Sequence, residues 1–139
     1  MNWILWSLLS ALFAGLTAVL AKVGVSGVNS NLATAVRTTV VLVFTWAFAF
    51  LTCKPSALGE LSRRTWLFLA LSGVATGLSW LCYFRALQMG EASRVASVDK
   101  LSVVFVIVLA GLFLHESLTW QHWVGGLLIV AGAVVLAWQ

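Results

Sequence analysis

Five runs of mainly apolar residues follow one another from Trp3 to Trp138, with short polar breaks between them. A run of about 20 such residues, wound as an α-helix, crosses the hydrocarbon core of a bilayer. The spans are predicted at Trp3–Ala21, Leu32–Thr52, Trp66–Gln88, Val95–Leu114 and Trp120–Trp138. Only 9% of the 139 residues are charged, against about 25% in a water-facing domain. The charge is too sparse to coat a globule, so lipid must be the solvent for most of the surface. The expected fold class is all-α, a polytopic membrane protein with one transmembrane domain over residues 1–139 and no room for a separate soluble domain. The first run begins at Trp3 with no basic segment before it, so a cleaved signal peptide is not expected.

Punctuation between the runs supports these boundaries. Gly24, Gly27, Asn29 and Ser30 fall in the first connection; Pro55, Gly59, Glu60, Arg63 and Arg64 fall in the second. Gly90 suits a left-handed stop for the third helix, Ser93 an N-cap for the fourth, and Thr119 an N-cap for the fifth. Trp3, Trp66, Trp120 and Trp138 fall at span ends, where amphipathic indoles favour the interface. Cys53 and Cys82 give neither a disulfide framework nor a metal spacing. Positive residues bias orientation toward the cytoplasm, but Lys54, Arg63 and Arg64 on one side nearly cancel Lys22 and Arg94 on the other, with Arg37, Arg85 and Lys100 just inside that second boundary. Either one loop dominates and the chain sits one way, or it inserts both ways.

Polar residues inside the runs align on helical faces. Thr34, Thr38, Thr45 and Thr52 lie within about 40° of one another at 100° per residue. Ser72, Thr76, Ser79 and Tyr83 form a second stripe. Such hydroxyls are expected to face inward, either bonding between helices or lining a polar cavity. The charges converge more strongly. Lys22, Arg37, Arg85, Glu91, Arg94, Asp99 and Lys100 all fall at the same predicted end of the spans once chain reversal is counted. Intramembrane ionisable groups are paired, snorkelling or functional. One reading is an ion pair of Asp99 with Arg37 or Arg85, with Lys22 and Lys100 snorkelling. The other is a vestibule whose excess positive charge receives an anionic or zwitterionic small-molecule substrate, with Arg37, Trp80, Tyr83, Asp99 and Lys100 as binding or gate residues. Thr34, Thr38, Thr45, Ser72, Thr76 and Ser79 would then line the cavity.

Gly73 and Gly77 on the third helix, and Gly125 and Gly132 on the fifth, make small-residue faces suited to close helix packing or dimer contact. His115, Glu116 and His122 sit at the ends of a short turn; a third metal ligand is missing, so interfacial capping is expected and no metal or other cofactor is called for. Intramembrane catalysis is not expected either, because general acid–base work needs a geometrically paired second group and Asp99 is the one acid well inside a span. No nucleic-acid partner is expected.

The run Tyr83-Phe84-Arg85-Ala86-Leu87 is followed by Gly90-Glu91-Ala92-Ser93, Ser102-Val103-Val104-Phe105-Val106, Leu114-His115-Glu116-Ser117-Leu118-Thr119, Gly125-Gly126-Leu127-Leu128-Ile129 and Ala131-Gly132. In order and spacing this resembles one EamA-type repeat of the drug/metabolite transporter superfamily. The resemblance implies one half of a ten-helix inverted-repeat fold, because an odd number of helices inverts a tandem copy. It also implies a transporter of small metabolites or drug-like solutes in a bacterial inner membrane. Such a carrier would work by alternating access as an antiparallel homodimer or paired with a paralogue. The helix-five glycines resemble the dimerising helix of the small multidrug resistance family. That family's acidic residue in helix one is absent here, where only Ser7, Ser10 and Thr17 are polar, so cation/proton antiport does not carry over. The rivals are a non-transporting assembly or regulatory subunit of a larger complex, and lipid-carrier flipping through a lateral opening.

Overall fold

The computed structural model describes residues 2–138 and is all-helical. The helices are α1 (Trp3–Gly24), α2 (Ser30–Thr52), α3 (Arg63–Met89), α4 (Ala92–Asp99), α5 (Ser102–Phe113) and α6 (Trp120–Ala137), with a 3₁₀ turn at Pro55–Leu58. They form five spans of membrane-crossing length and hydropathy, the fourth being α4 and α5 together, Ala92–Phe113. Only 6–11% of each span's apolar window is buried. A helix so apolar and so exposed is stable only where its surroundings are apolar and every backbone bond closes within the segment.

Local chemistry sets the ends. Gly27 adopts φ 73°, a left-handed turn open to a residue without Cβ, and the Oδ1 of Asn29 then caps α2 by accepting from the Asn31 N–H at 2.9 Å. The Ser62 Oγ accepts from the Thr65 N–H at 3.1 Å where α3 begins. Two expected caps are corrected. Among the described residues, φ is positive at Gly27 and His115 and not at Gly90. The Gly90 carbonyl is instead taken by the Lys22 ammonium at 2.7 Å, a cation at a helix C-terminus, and the chain bends at Gly90 and passes through the extended Glu91 into α4 without a left-handed residue. The N-cap of α4 is Glu91, in extended conformation, while Ser93 lies inside the helix. At α6, Thr119 is the N-cap, and its N–H donates to the Nδ1 of His122 at 3.1 Å. His122 thus takes the place that Glu or Gln holds in the usual capping box.

The largest departure is in the fourth span, expected to be one helix over Val95–Leu114. It is interrupted at Lys100–Leu101, where the N–H groups of Lys100, Leu101, Val103 and Val104 reach carbonyls three residues back, at 2.9–3.2 Å. Those i−3 bonds bypass the carbonyls of Ala96 and Asp99, the i−4 partners of Lys100 and Val103. Both linking residues keep right-handed dihedrals (Lys100 −67°, −12°; Leu101 −59°, −20°), so the interruption is a tightened turn. No glycine or proline marks it in the sequence.

The chain divides into two contact units. One comprises Gly24–Gln88, with α2 and most of α3; its buried residues are Val25, Ser30, Thr34, Phe84 and Leu87. The other comprises residues up to Val23 and from Met89 onward. Here α6 runs against α4 and α5, and Gly126 brings its backbone to Ile107 and Val104, where a Cβ would stand 3.6 Å and 4.0 Å from their methyl groups. A Cβ on Gly111 would meet the Leu118 Cδ1 at 2.7 Å and Cγ at 3.1 Å. Gly111→Val should therefore destabilise the α5–α6 pair by about 1–3 kcal/mol, read by unfolding in a micelle titration. Gly15→Ala, where a Cβ meets nothing within 4 Å, should be neutral or slightly stabilising because it relieves glycine's helical penalty.

Candidate functional site

In the Gly24–Gln88 unit, Arg37 lies seven residues into α2, about 10 Å below the helix start at 1.5 Å per residue. Its guanidinium carbon sits 4.3 Å from the centroid of the Trp80 ring and 5.6 Å from that of Phe84. Trp80 and Phe84 are one helical turn apart on α3, so their rings stand one above the other on the face that meets α2. Phe84 is 3% exposed; Arg37 and Trp80 are half-buried. The unit's one carboxylate, Glu60, is in the polar connection. The guanidinium is therefore met by aromatic faces, a contact worth about 0.5–2 kcal/mol depending on desolvation. Aromatic pairing leaves the planar N–H fork of an arginine without an anionic acceptor, and that fork matches a carboxylate or phosphate edge.

Beside this cluster the chain is tied down by Gln88. Its Nε2 donates to the carbonyls of Val25, at 3.3 Å, and Val28, and its Oε1 accepts from the Arg85 Nη1 at 3.2 Å. The α1–α2 connection is thereby fixed to the end of α3, over the fully buried Val25 and Leu87. Sequence reasoning overlooked Gln88, a neutral amide among seven charges. The one available clue was a polar side chain one helical turn from Phe84 on the run's inner face. Tyr83 is half-buried on the neighbouring face of α3.

Asp99 and Lys100 belong to the other unit, where they form the end and C-cap of α4 and are exposed. They flank the interruption of the fourth span. Arg94 pairs with Glu91 at 3.1 Å, a local contact three residues apart at the start of α4.

The threonines of the hydroxyl stripes find their acceptors within their own helices. Thr34, Thr38, Thr45 and Thr76 donate to the carbonyls of Ser30, Thr34, Val41 and Ser72 at 2.7–2.9 Å, and Thr52 and Ser97 do the same to Phe48 and Ser93. This back-bonding removes most of the penalty of placing a hydroxyl among hydrocarbon. Thr34 is buried, whereas Thr45, Ser72, Thr76 and Ser79 are exposed within their unit. The four singled-out glycines, Gly73, Gly77, Gly125 and Gly132, leave open space where a Cβ would stand. Close backbone approach within the chain falls instead at Gly111 and Gly126. Among the described residues no three His, Cys, Asp or Glu side chains converge as metal ligands.

The aromatic pairing of Arg37 is testable by a double-mutant cycle. Trp80→Leu should destabilise the α2–α3 pair by about 1–2 kcal/mol and Trp80→Phe by less. In the Trp80→Leu background, Arg37→Met should cost clearly less than it does alone. The measurement is reversible unfolding in mixed micelles.

Comparison with known proteins gives the family. The model of the EamA-like transporter family matches residues 1–138. An "Uncharacterized transporter in cobO 3'region" of Sinorhizobium sp is 54% identical over 136 residues, covering 98% of this chain and 96% of that protein. The "Uncharacterized transporter YvbV" of Bacillus subtilis (strain 168) is 35% identical over 127 residues, which are 91% of this chain but 42% of that protein. The "Probable 4-amino-4-deoxy-L-arabinose-phosphoundecaprenol flippase subunit ArnE" of Pseudomonas fluorescens is 31% identical over 85 residues, 60% of this chain and 72% of that protein. No solved structure matches. Multi-pass, integral to the membrane and matched to a transporter family over nearly its whole length, the chain belongs to the EamA-like transporters and not to an enzyme family.

Proposed function

We propose that this chain is one half of a solute carrier. Two copies in opposite orientations, or one copy with a homologous partner, enclose a substrate path and expose it to each membrane face in turn. The observation that carries this reading is the family match over residues 1–138 of a sequence with five spans. An odd number of spans puts the two ends of a repeat on opposite faces, so a second repeat that follows in sequence is inverted. YvbV, of which the matched segment is 42%, has room for a second segment of this size. Nearly balanced positive charge on the two sides favours insertion in both orientations.

In this carrier Arg37, Trp80, Tyr83, Asp99 and Lys100 are the binding or gate residues. Arg37 takes the anionic group of an anionic or zwitterionic solute, trading aromatic contact for charge-assisted hydrogen bonds. The interruption beside Asp99 and Lys100 supports a place for them on the path, since carriers use broken helices to present backbone groups to substrates and ions. Thr34, Thr38, Thr45, Ser72, Thr76 and Ser79 line the cavity; the threonine oxygens retain accepting capacity while donating to their own helices. Gly73, Gly77, Gly125 and Gly132, open within their own units, are available to the second chain.

A second reading follows from the name of the ArnE relatives, each a flippase subunit: the chain would act as one subunit of a complex that moves a lipid-linked solute. Reporter tags at the C-terminus, active on opposite sides of the membrane, should both give signal for a self-paired carrier. Signal from one side alone would rule out self-pairing and require a partner chain. In proteoliposomes of the purified chain, uptake from a panel of amino acids and phosphorylated metabolites should fall at least tenfold with Arg37→Ala, corresponding to the loss of about 1.4 kcal/mol or more, with both tag signals unchanged. Inert vesicles would favour the subunit reading.

A further inference from the structure

An open cavity of about 390 Å³ lies where α5, the 114–119 connection and α6 meet, lined by Val108, Gly111, Leu112, Glu116, Leu118 and Trp123. It lies wholly within one contact unit and shares no residue with the Arg37 cluster. Its shape comes from the way α5 ends. The Ala110 carbonyl accepts the N–H groups of both Leu114, at 3.0 Å, and Glu116, at 3.3 Å. His115 between them is held left-handed at φ 53°, a position that glycine usually fills. The connection is thereby folded back so that Leu118 sits on Gly111, in space that any side chain there would occupy.

Glu116 is the one charged residue of the lining. Among the described residues it makes no ion pair, while Arg94 is held by Glu91 and Lys22 reaches Gly90. Its depth is set by its neighbours: it falls between Phe113, where the fourth span ends, and Trp120, where the fifth begins, at the level of lipid headgroups. Val108 and Leu112 carry the lining back along α5 toward the hydrocarbon, Val108 about 7 Å below Phe113 at 1.5 Å per residue. A carboxylate at headgroup depth, an indole in the same lining and apolar residues further along α5 complement an amphiphile with a cationic head and an apolar tail. An ammonium with N–H donors satisfies both the carboxylate and the indole.

We propose that this cavity seats an aminophospholipid such as phosphatidylethanolamine. Its primary ammonium lies against Glu116 and Trp123, its phosphate faces the aqueous side, and an acyl chain follows Val108 and Leu112. This site is independent of the carrier reading and holds whether or not the chain transports alone.

The test uses the full chain, extracted from vesicles of equal phosphatidylethanolamine and phosphatidylglycerol, with retained lipid counted by native mass spectrometry. The wild type should retain phosphatidylethanolamine in excess. Glu116→Gln should reduce that excess roughly three- to fivefold, the span of a partly exposed ion pair, and Glu116→Asp should largely keep it. Added phosphatidylethanolamine should raise the melting temperature of the wild type and leave that of Glu116→Gln unchanged, which separates lost binding from lost folding. Equal retention by wild type and Glu116→Gln would overturn the proposal. So would displacement of the lipid by micromolar tetraphenylphosphonium, which has no N–H to donate and would mark a site for solute cations.

Discussion

Water is absent from the hydrocarbon core, so every polar group placed there must find its partner inside the protein. The rest of this molecule follows from that constraint. It explains helices that expose almost their entire length, and an interruption in the fourth span at which i−3 bonds take over from i−4. It explains why Thr34, Thr38, Thr45, Thr52, Thr76 and Ser97 each turn back onto a carbonyl of the same helix. It also explains why the end of α3 and the α1–α2 connection are served by side chains, Lys22 on the Gly90 carbonyl and Gln88 on those of Val25 and Val28. Elsewhere in biology water would do those jobs.

The same constraint decides the state of the half-buried charge on α2. Arg37 rests on Trp80 and Phe84. A carboxylate in that place would make a neutral pair, strong in low dielectric and slow to exchange for a substrate anion. Aromatic faces lower the cost of holding the guanidinium at depth and neutralise nothing, so its net charge stays available. That is the physical difference between a structural ion pair and a residue suited to receiving an anion.

Among the described residues, close packing is seen at Gly111 under Leu118, at Gly126 against Ile107 and Val104, and around the fully buried Val25 and Leu87. Elsewhere the helices present large apolar side chains and bare glycine backbone to their surroundings. Lipid covers the former well. Bare backbone at Gly73, Gly77, Gly125 and Gly132 suits the close approach of another helix better than lipid, because small residues let backbones approach closely. In the proposed carrier, the second half would cover this part of the surface.

Much was legible without coordinates. The five apolar runs, their turns at Gly27 and Asn29, the N-cap at Thr119 and the placing of Arg37 about two turns into the second helix all follow from periodicity and from the bilayer's thickness, which are properties of short segments. What tertiary structure decided is of another kind. Arg37 rests on aromatic rings, a choice between carboxylate and ring that depends on which helix faces which. Gly90 is served by a lysine 68 residues away, so no left-handed stop is needed there. The hydroxyl stripes look inward-facing from their period alone, yet a carbonyl four residues back satisfies their threonines whichever way they face. The fourth span breaks at Lys100–Leu101 with no glycine or proline to announce it; both segments lie against α6, a neighbour that no local pattern in the sequence reveals. Sequence alone determined that this chain lives in a membrane as five helices; which polar groups meet within it was left to the packing, since partners distant in sequence leave no period to read.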